Sequence, residues 1–107
     1  MNTAWIALFV AGLFEIGWPL GLKNGYTASV MNWNWIIFAF VCMSISGGLL
    51  FYAQKTIPVG TAYAVWTGIG AAGTFALGVA LFGDALNAIR MTSILLIIAG
   101  VVGLKIA

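Results

Sequence analysis

The chain has no histidine and one cysteine. Proton chemistry must therefore run through some other side chain. The lone cysteine, Cys42, cannot form an internal disulfide and has no metal-ligating residue near it, so packing is its expected role. Charge is scarce as well. Glu15 and Asp84 are the only acids, and Lys23, Lys55, Arg90 and Lys105 are the only bases, which is 6% of 107 residues. A soluble domain of this size needs far more charge to coat its surface. The net charge of +2 is scattered along the chain, with no basic run to engage phosphates, which excludes nucleic acid as a partner. No nucleophile–base pair and no cluster of metal ligands occurs. Neither an enzyme nor a bound cofactor is expected.

What the chain does have is hydrophobic residues, 64% of the total. They fall into long apolar runs, the pattern of an all-α integral membrane protein in contact with a lipid bilayer. Crossing ~30 Å of hydrocarbon takes roughly 20 helical residues. Four such stretches fit, at about residues 3–22, 33–53, 58–81 and 86–106. They make residues 1–107 a single four-helix transmembrane domain. The first run lacks a basic leader and carries an acid, so it is expected to be a permanent span and not a signal peptide. Asn24-Gly25 and Gly83-Asp84 read as turns. Pro58 suits the first turn of the third helix, where its missing N–H costs nothing. Short links predict that consecutive helices are antiparallel neighbours. Trp5, Trp33 and Trp35 suit the membrane interface; Trp18 and Trp66 lie too deep for that role.

On the side of the N-terminus fall Lys55 and Lys105, and on the other side Lys23 and Arg90. Two against two leaves the positive-inside rule little to act on. Insertion in both orientations is therefore expected. Two opposed copies form an antiparallel dual-topology homodimer, which reproduces the inverted repeat of alternating-access transporters. Ser93, Gly100 and Gly103 make a small-residue stripe suited to that dimer contact.

Five of the six charges lie near the ends of apolar runs. Glu15 alone lies deep within one. A carboxylate in hydrocarbon costs at least ~2.5–3.5 kcal/mol, and no lysine, arginine or histidine lies deep within a span to pair with it. Such a group is retained where it faces a cavity, a partner or a substrate. The bland alternative is a protonated acid hydrogen-bonded to a neighbouring helix. Desolvation favours the neutral acid, so one group can hold a proton or a cation in turn. That competition suffices for proton–cation exchange.

Gly12 and Trp18 lie at i−3 and i+3 from Glu15, on one helical face. Gly12 is expected to leave space beside the carboxylate, or else to serve helix packing. Trp18 offers an N–H and a π surface to a cation. Pro19, at i+4, removes the N–H that would bond the Glu15 carbonyl and is expected to bend the helix, unless it serves packing alone. At ~1.5 Å per residue Glu15 lies roughly 18 Å from the N-terminal side; Ser46 and Trp66 come out at roughly 10–12 Å, with Tyr63 one turn shallower. Ser46 and Tyr63 are expected to offer hydroxyls to the carboxylate. The alternatives are a serine bonded to its own helix and plain aromatic packing of Tyr63 with Trp66. Gly68, Gly70, Gly73 and Gly78 suit close helix approach or a hinge in helix 3.

With these residues in place, the sequence resembles the small multidrug resistance family along essentially its whole length. Gly12–Trp18 (GLFEIGW) and Pro58–Gly73 (PVGTAYAVWTGIGAAG) carry the resemblance, with Gly21-Leu22-Lys23 and Gly103-Leu104-Lys105. Within the family, Trp18, Ser46, Thr61 and Thr67 resemble the guanidinium exporter subtype. The resemblance implies an antiparallel dimer in the bacterial cytoplasmic (inner) membrane and proton-coupled export. It implies Glu15 as the shared site for proton and substrate, with Gly12, Trp18, Ser46, Tyr63 and Trp66 as pocket or supporting residues. Pro19 stands where many members have a small residue. Some members work as paired, different subunits, so a heterodimer is the alternative assembly. Guanidinium or another small organic cation is the expected substrate, because its planar fork of donors suits a carboxylate. The rival readings are a quaternary-ammonium antiseptic exporter of the same mechanism and a non-transporting membrane partner subunit.

Overall fold

The computed structural model describes residues 2–27 and 29–107. Its elements in order are α1 (Thr3–Gly25), β1 (Tyr26–Thr27), β2 (Val30–Met31), α2 (Trp33–Ala53), α3 (Val59–Phe82) and α4 (Ala88–Ile106). All four helices are long and apolar enough to cross a membrane.

Local chemistry sets the ends. The Asn2 side chain accepts from the Trp5 N–H at 3.0 Å, and Asn87 accepts from the Arg90 N–H at 2.9 Å. Both are N-caps, which satisfy donors that a helix start leaves free. The Asn87 cap is why α4 begins at Ala88 and not near Leu86. Pro58 caps α3 from outside with extended geometry, φ −52° and ψ 139°, so the first helical residue is Val59. Gly83 closes α3 in the left-handed region at φ 67°, where glycine carries no Cβ penalty. Asn24-Gly25, read from sequence as a turn, instead lies in the last turn of α1. Gly25 stays helical because Ile36 packs where its side chain would be, and its carbonyl accepts from the Asn32 N–H at 2.7 Å. The chain reverses afterwards through a small hairpin in which Tyr26 pairs with Met31 and Thr27 with Val30. Ser29 has φ 64° there.

The helices pack in the order α2, α1, α3, α4. The molecule measures 45 × 34 × 18 Å. A closed four-helix bundle with helices ~8–10 Å apart would be about 15–20 Å across in both short directions. The 34 Å width places this protomer outside that geometry. Helix α1 packs on both α2 and α3, α4 packs on α3, and α2 and α3 barely touch. The expectation that consecutive helices are neighbours therefore fails for α2 and α3, because α1 lies between them.

Small residues let the backbones approach, as membrane helices require when lipid supplies no hydrophobic drive between them. Toward α2, α1 presents Gly17 to Cys42 and Gly21 to Ala39, so close that a Cβ would sit 2.6 Å and 2.9 Å from their side chains. The cysteine is thus a packing residue. Toward α3 the contact is reciprocal: Ile69 sits over Gly12, Glu15 over Gly70 and Ile16 over Gly73. Gly70 and Gly73 of α3 are thus accounted for by close approach to α1, and Gly68 receives Val101 of α4. A compact core of Ala4, Leu8, Ala53, Ile57, Ala62 and Val65 joins α1, the end of α2 and the start of α3 at the N-terminal side. Helix α4 buries none of its residues, and Gly100 and Gly103 face open space.

Candidate functional site

Glu15 lies on the packed α1–α3 seam, half-buried, with its side chain laid across Gly70. A Cβ at position 70 would fall 2.5 Å from the Glu15 Cγ, so glycine there is what lets the acid occupy this place. The carboxyl opens into a cleft of about 240 Å³ lined by Glu15, Pro19, Thr67, Gly70, Ala71 and Thr74. None of the side-chain hydrogen bonds among the described residues reaches Glu15. The carboxyl thus borders open space in which a ligand could reach it.

Ser46 is fully buried on α2, but its hydroxyl bonds neither the carboxylate nor its own helix. It donates to the Ala11 carbonyl of α1 at 2.7 Å. The Trp66 indole N–H of α3 in turn donates to the Ser46 oxygen at 2.7 Å. In a regular helix the Ala11 carbonyl is also the acceptor for the Glu15 N–H. Ser46 and Trp66 therefore tie α2 and α3 to the very turn of α1 that carries the acid. By contrast, Ser44, Thr67 and Ser93 each donate to the carbonyl four residues back in their own helix.

Tyr63 stacks on Trp66 with ring centroids 5.5 Å apart at 54°. Its ring is exposed, and its hydroxyl makes no hydrogen bond among the described residues. Gly12 does not border the carboxylate. It is buried under Ile69, whose Cγ2 would lie 2.7 Å from a Cβ there. Room for the acid comes from Gly70, on the opposing helix. Trp18 is half-buried on α1 and is not among the residues lining the cleft. Helix α1 runs through Pro19 without a break, and the proline ring forms part of the cleft wall.

Thr74, Gly70 and Ala71 were not singled out as site residues from sequence, and Thr67 only as a subtype marker. A signal for them was present. Positions 67, 70, 71 and 74 share one face of a helix, and Thr67 and Thr74 are polar steps on that face.

The sequence profile of the family described as Small Multidrug Resistance protein matches residues 3–97. The chain belongs to the small multidrug resistance family. With four spans it is a multi-pass membrane protein of that family. Among its relatives is a guanidinium exporter of Proteus vulgaris, 48% identical over 97% of this chain and 98% of the relative. A guanidinium exporter of Yersinia pestis is 49% identical over the same shares. A guanidinium exporter of Escherichia coli K12 is 44% identical over 97% of each chain.

Proposed function

We propose that this protein is a proton-coupled exporter of guanidinium or small guanidinyl cations in the bacterial inner membrane. Glu15 binds proton and substrate in turn. The observation that carries this reading is the Glu15 carboxyl itself, laid over Gly70 in an open cleft and free of protein hydrogen bonds among the described residues. The names of the relatives support the substrate.

The cycle is competition at one acid. The carboxylate accepts the paired donors of guanidinium on the inside. A proton arriving from outside converts it to the neutral acid, which has no charge to hold the cation. The cation leaves, the protonated protein returns, and loss of the proton inside restores the carboxylate. Thr67 and Thr74 line the same cleft and supply hydroxyl oxygens to the remaining donors of the cation. Ser46 and Trp66 hold the α1 turn that carries Glu15, and Tyr63 extends the aromatic wall from Trp66. Trp18 offers an N–H and a π face from α1. Gly12 acts at a distance, by letting α3 seat against α1.

A row of helices leaves the cleft open along one face. A second copy, inserted in the opposite orientation, closes it and contributes its own Glu15. The unburied small-residue stripe of α4 is the contact we assign to that antiparallel pair.

The test is purified protein in liposomes with a guanidinium gradient and an internal pH dye. Proton movement driven by guanidinium is the expected result. Flux driven only by quaternary ammonium ions would replace guanidinium by that substrate class. Absence of flux with both, in preparations that retain dimers, would leave a non-transporting subunit.

A further inference from the structure

A second cavity, of about 200 Å³, lies at the far end of the groove between α1 and α3. It shares Pro19 and Thr74 with the Glu15 cleft, so the two are successive chambers of one groove. The outer chamber ends at Lys23, Phe82 and Asp84. It thus contains the only other acid of the chain.

The position of that acid is unusual. Asp84 follows the C-terminus of α3, where the helix dipole and unpaired carbonyls are already negative and a second negative charge is unfavourable. Its N–H bonds back to the Gly78 carbonyl at 3.1 Å. Its carboxylate folds over Gly78, where any side chain would collide with it. The fold thus turns Asp84 toward the groove. Across the chamber the Lys23 ammonium stands over the Phe82 ring, 5.8 Å from the centroid, within the range of cation–π attraction. A carboxylate, an aromatic face and the negative end of a helix together make a cation site. The Lys23 ammonium, over the Phe82 ring, is a tethered cation at the wall of the same chamber.

We propose that Asp84 and the Phe82 ring form an outer subsite for guanidinium-type cations at the mouth of the Glu15 cleft, held between transport events by the ammonium of Lys23. This rests on the export reading. A planar cation displaces the lysine, lies on the Phe82 ring with its donors toward Asp84, and passes Pro19 and Thr74 to reach Glu15. Lys23 sets the affinity of the mouth because it competes for the same place.

The experiment measures the KM for guanidinium-driven proton flux in liposomes for the wild type, Asp84→Asn and Lys23→Met. Asp84→Asn is expected to raise KM about tenfold, and Lys23→Met to lower it about threefold. The second change is a gain, which misfolding cannot imitate. In Glu15→Gln protein, equilibrium binding of radiolabelled guanidinium is expected to persist weakly and to vanish when Asp84→Asn is added. If both single variants keep the wild-type KM and Glu15→Gln protein binds no guanidinium, the outer subsite is overturned while the export reading stands. A wild-type protein that moves no guanidinium overturns the export reading, and the subsite with it.

Discussion

The two halves of this protein are built differently. In the half toward the N-terminus, α1, α2 and α3 meet in a compact core around Leu8 and Val65, both fully buried. The Trp66–Ser46–Ala11 hydrogen-bonded chain lies against that core and joins all three helices. In the other half, α1 and α3 still touch through Gly70 and Gly73, but beyond Glu15 they separate into the two chambers that run out to Asp84. The acid sits at the boundary. A single protomer thus has a packed three-helix core on one side of Glu15 and a groove between α1 and α3 on the other. Two opposed copies would place one packed half and one grooved half on each side of the membrane, the equivalence of the two faces that an inverted repeat supplies.

The largest effect expected is at the boundary. Glu15→Gln removes the charge while keeping the shape. It should lower guanidinium–proton exchange by about 100-fold or more, equivalent to about 3 kcal/mol. Unchanged exchange in liposomes would remove Glu15 from the mechanism. Next comes the packed half. Leu8→Ala empties a fully buried position and should cost about 2 kcal/mol in reversible detergent unfolding, the low end for such truncations because lipid weakens the hydrophobic term. A mutation of the same size in the grooved half, Leu77→Ala, should cost clearly less. Equal costs would erase the contrast between halves.

Gly70→Val tests the seam. Its side chain needs the space that the Glu15 methylenes occupy. It should reduce transport about tenfold, close to 1.4 kcal/mol, with helix content by circular dichroism unchanged. Wild-type transport by this variant would show that the acid does not need its place over α3. The smallest effect is at Ser46. Ser46→Ala leaves the Trp66 N–H without its acceptor and should destabilise by about 1 kcal/mol. Transport should fall less than stability, since Ser46 bonds the backbone below Glu15 and not the carboxylate. A transport loss as deep as that of Glu15→Gln would mean that Ser46 also serves the acid directly.

Much of the fold was legible because the bilayer imposes so few choices. Runs of apolar residues of fixed length have one outcome in lipid, so the four helices follow from composition and spacing. Their ends followed where a cap was readable, as at Gly83, and failed where tertiary contact overrode the local signal. Asn24-Gly25 is a turn signal by type, yet Ile36 packing on Gly25 keeps it helical. Glu15 was legible as a candidate site because a lone acid in hydrocarbon is costly unless it faces a cavity, a partner or a substrate. Its surroundings were less so. Depth along the membrane brought Ser46 and Trp66 to the right level but could not say what they bond, since a ladder of heights carries no information about rotation. Gly12 and Gly70 show the same limit: each is a glycine near the acid, and only helix packing decides which one makes room for it.

The sequence by itself determined that this is a membrane protein of four helices with one acid deep within a span, because the energy of placing charge and backbone in lipid is set by residue type and position along the run. Tertiary structure decided which helices touch, that α1 separates α2 from α3, that Ser46 binds the turn below Glu15, and that the groove from Glu15 continues to Asp84. Those outcomes depend on close packing between small residues on different helices. Such contacts join positions far apart in the chain and leave no local mark.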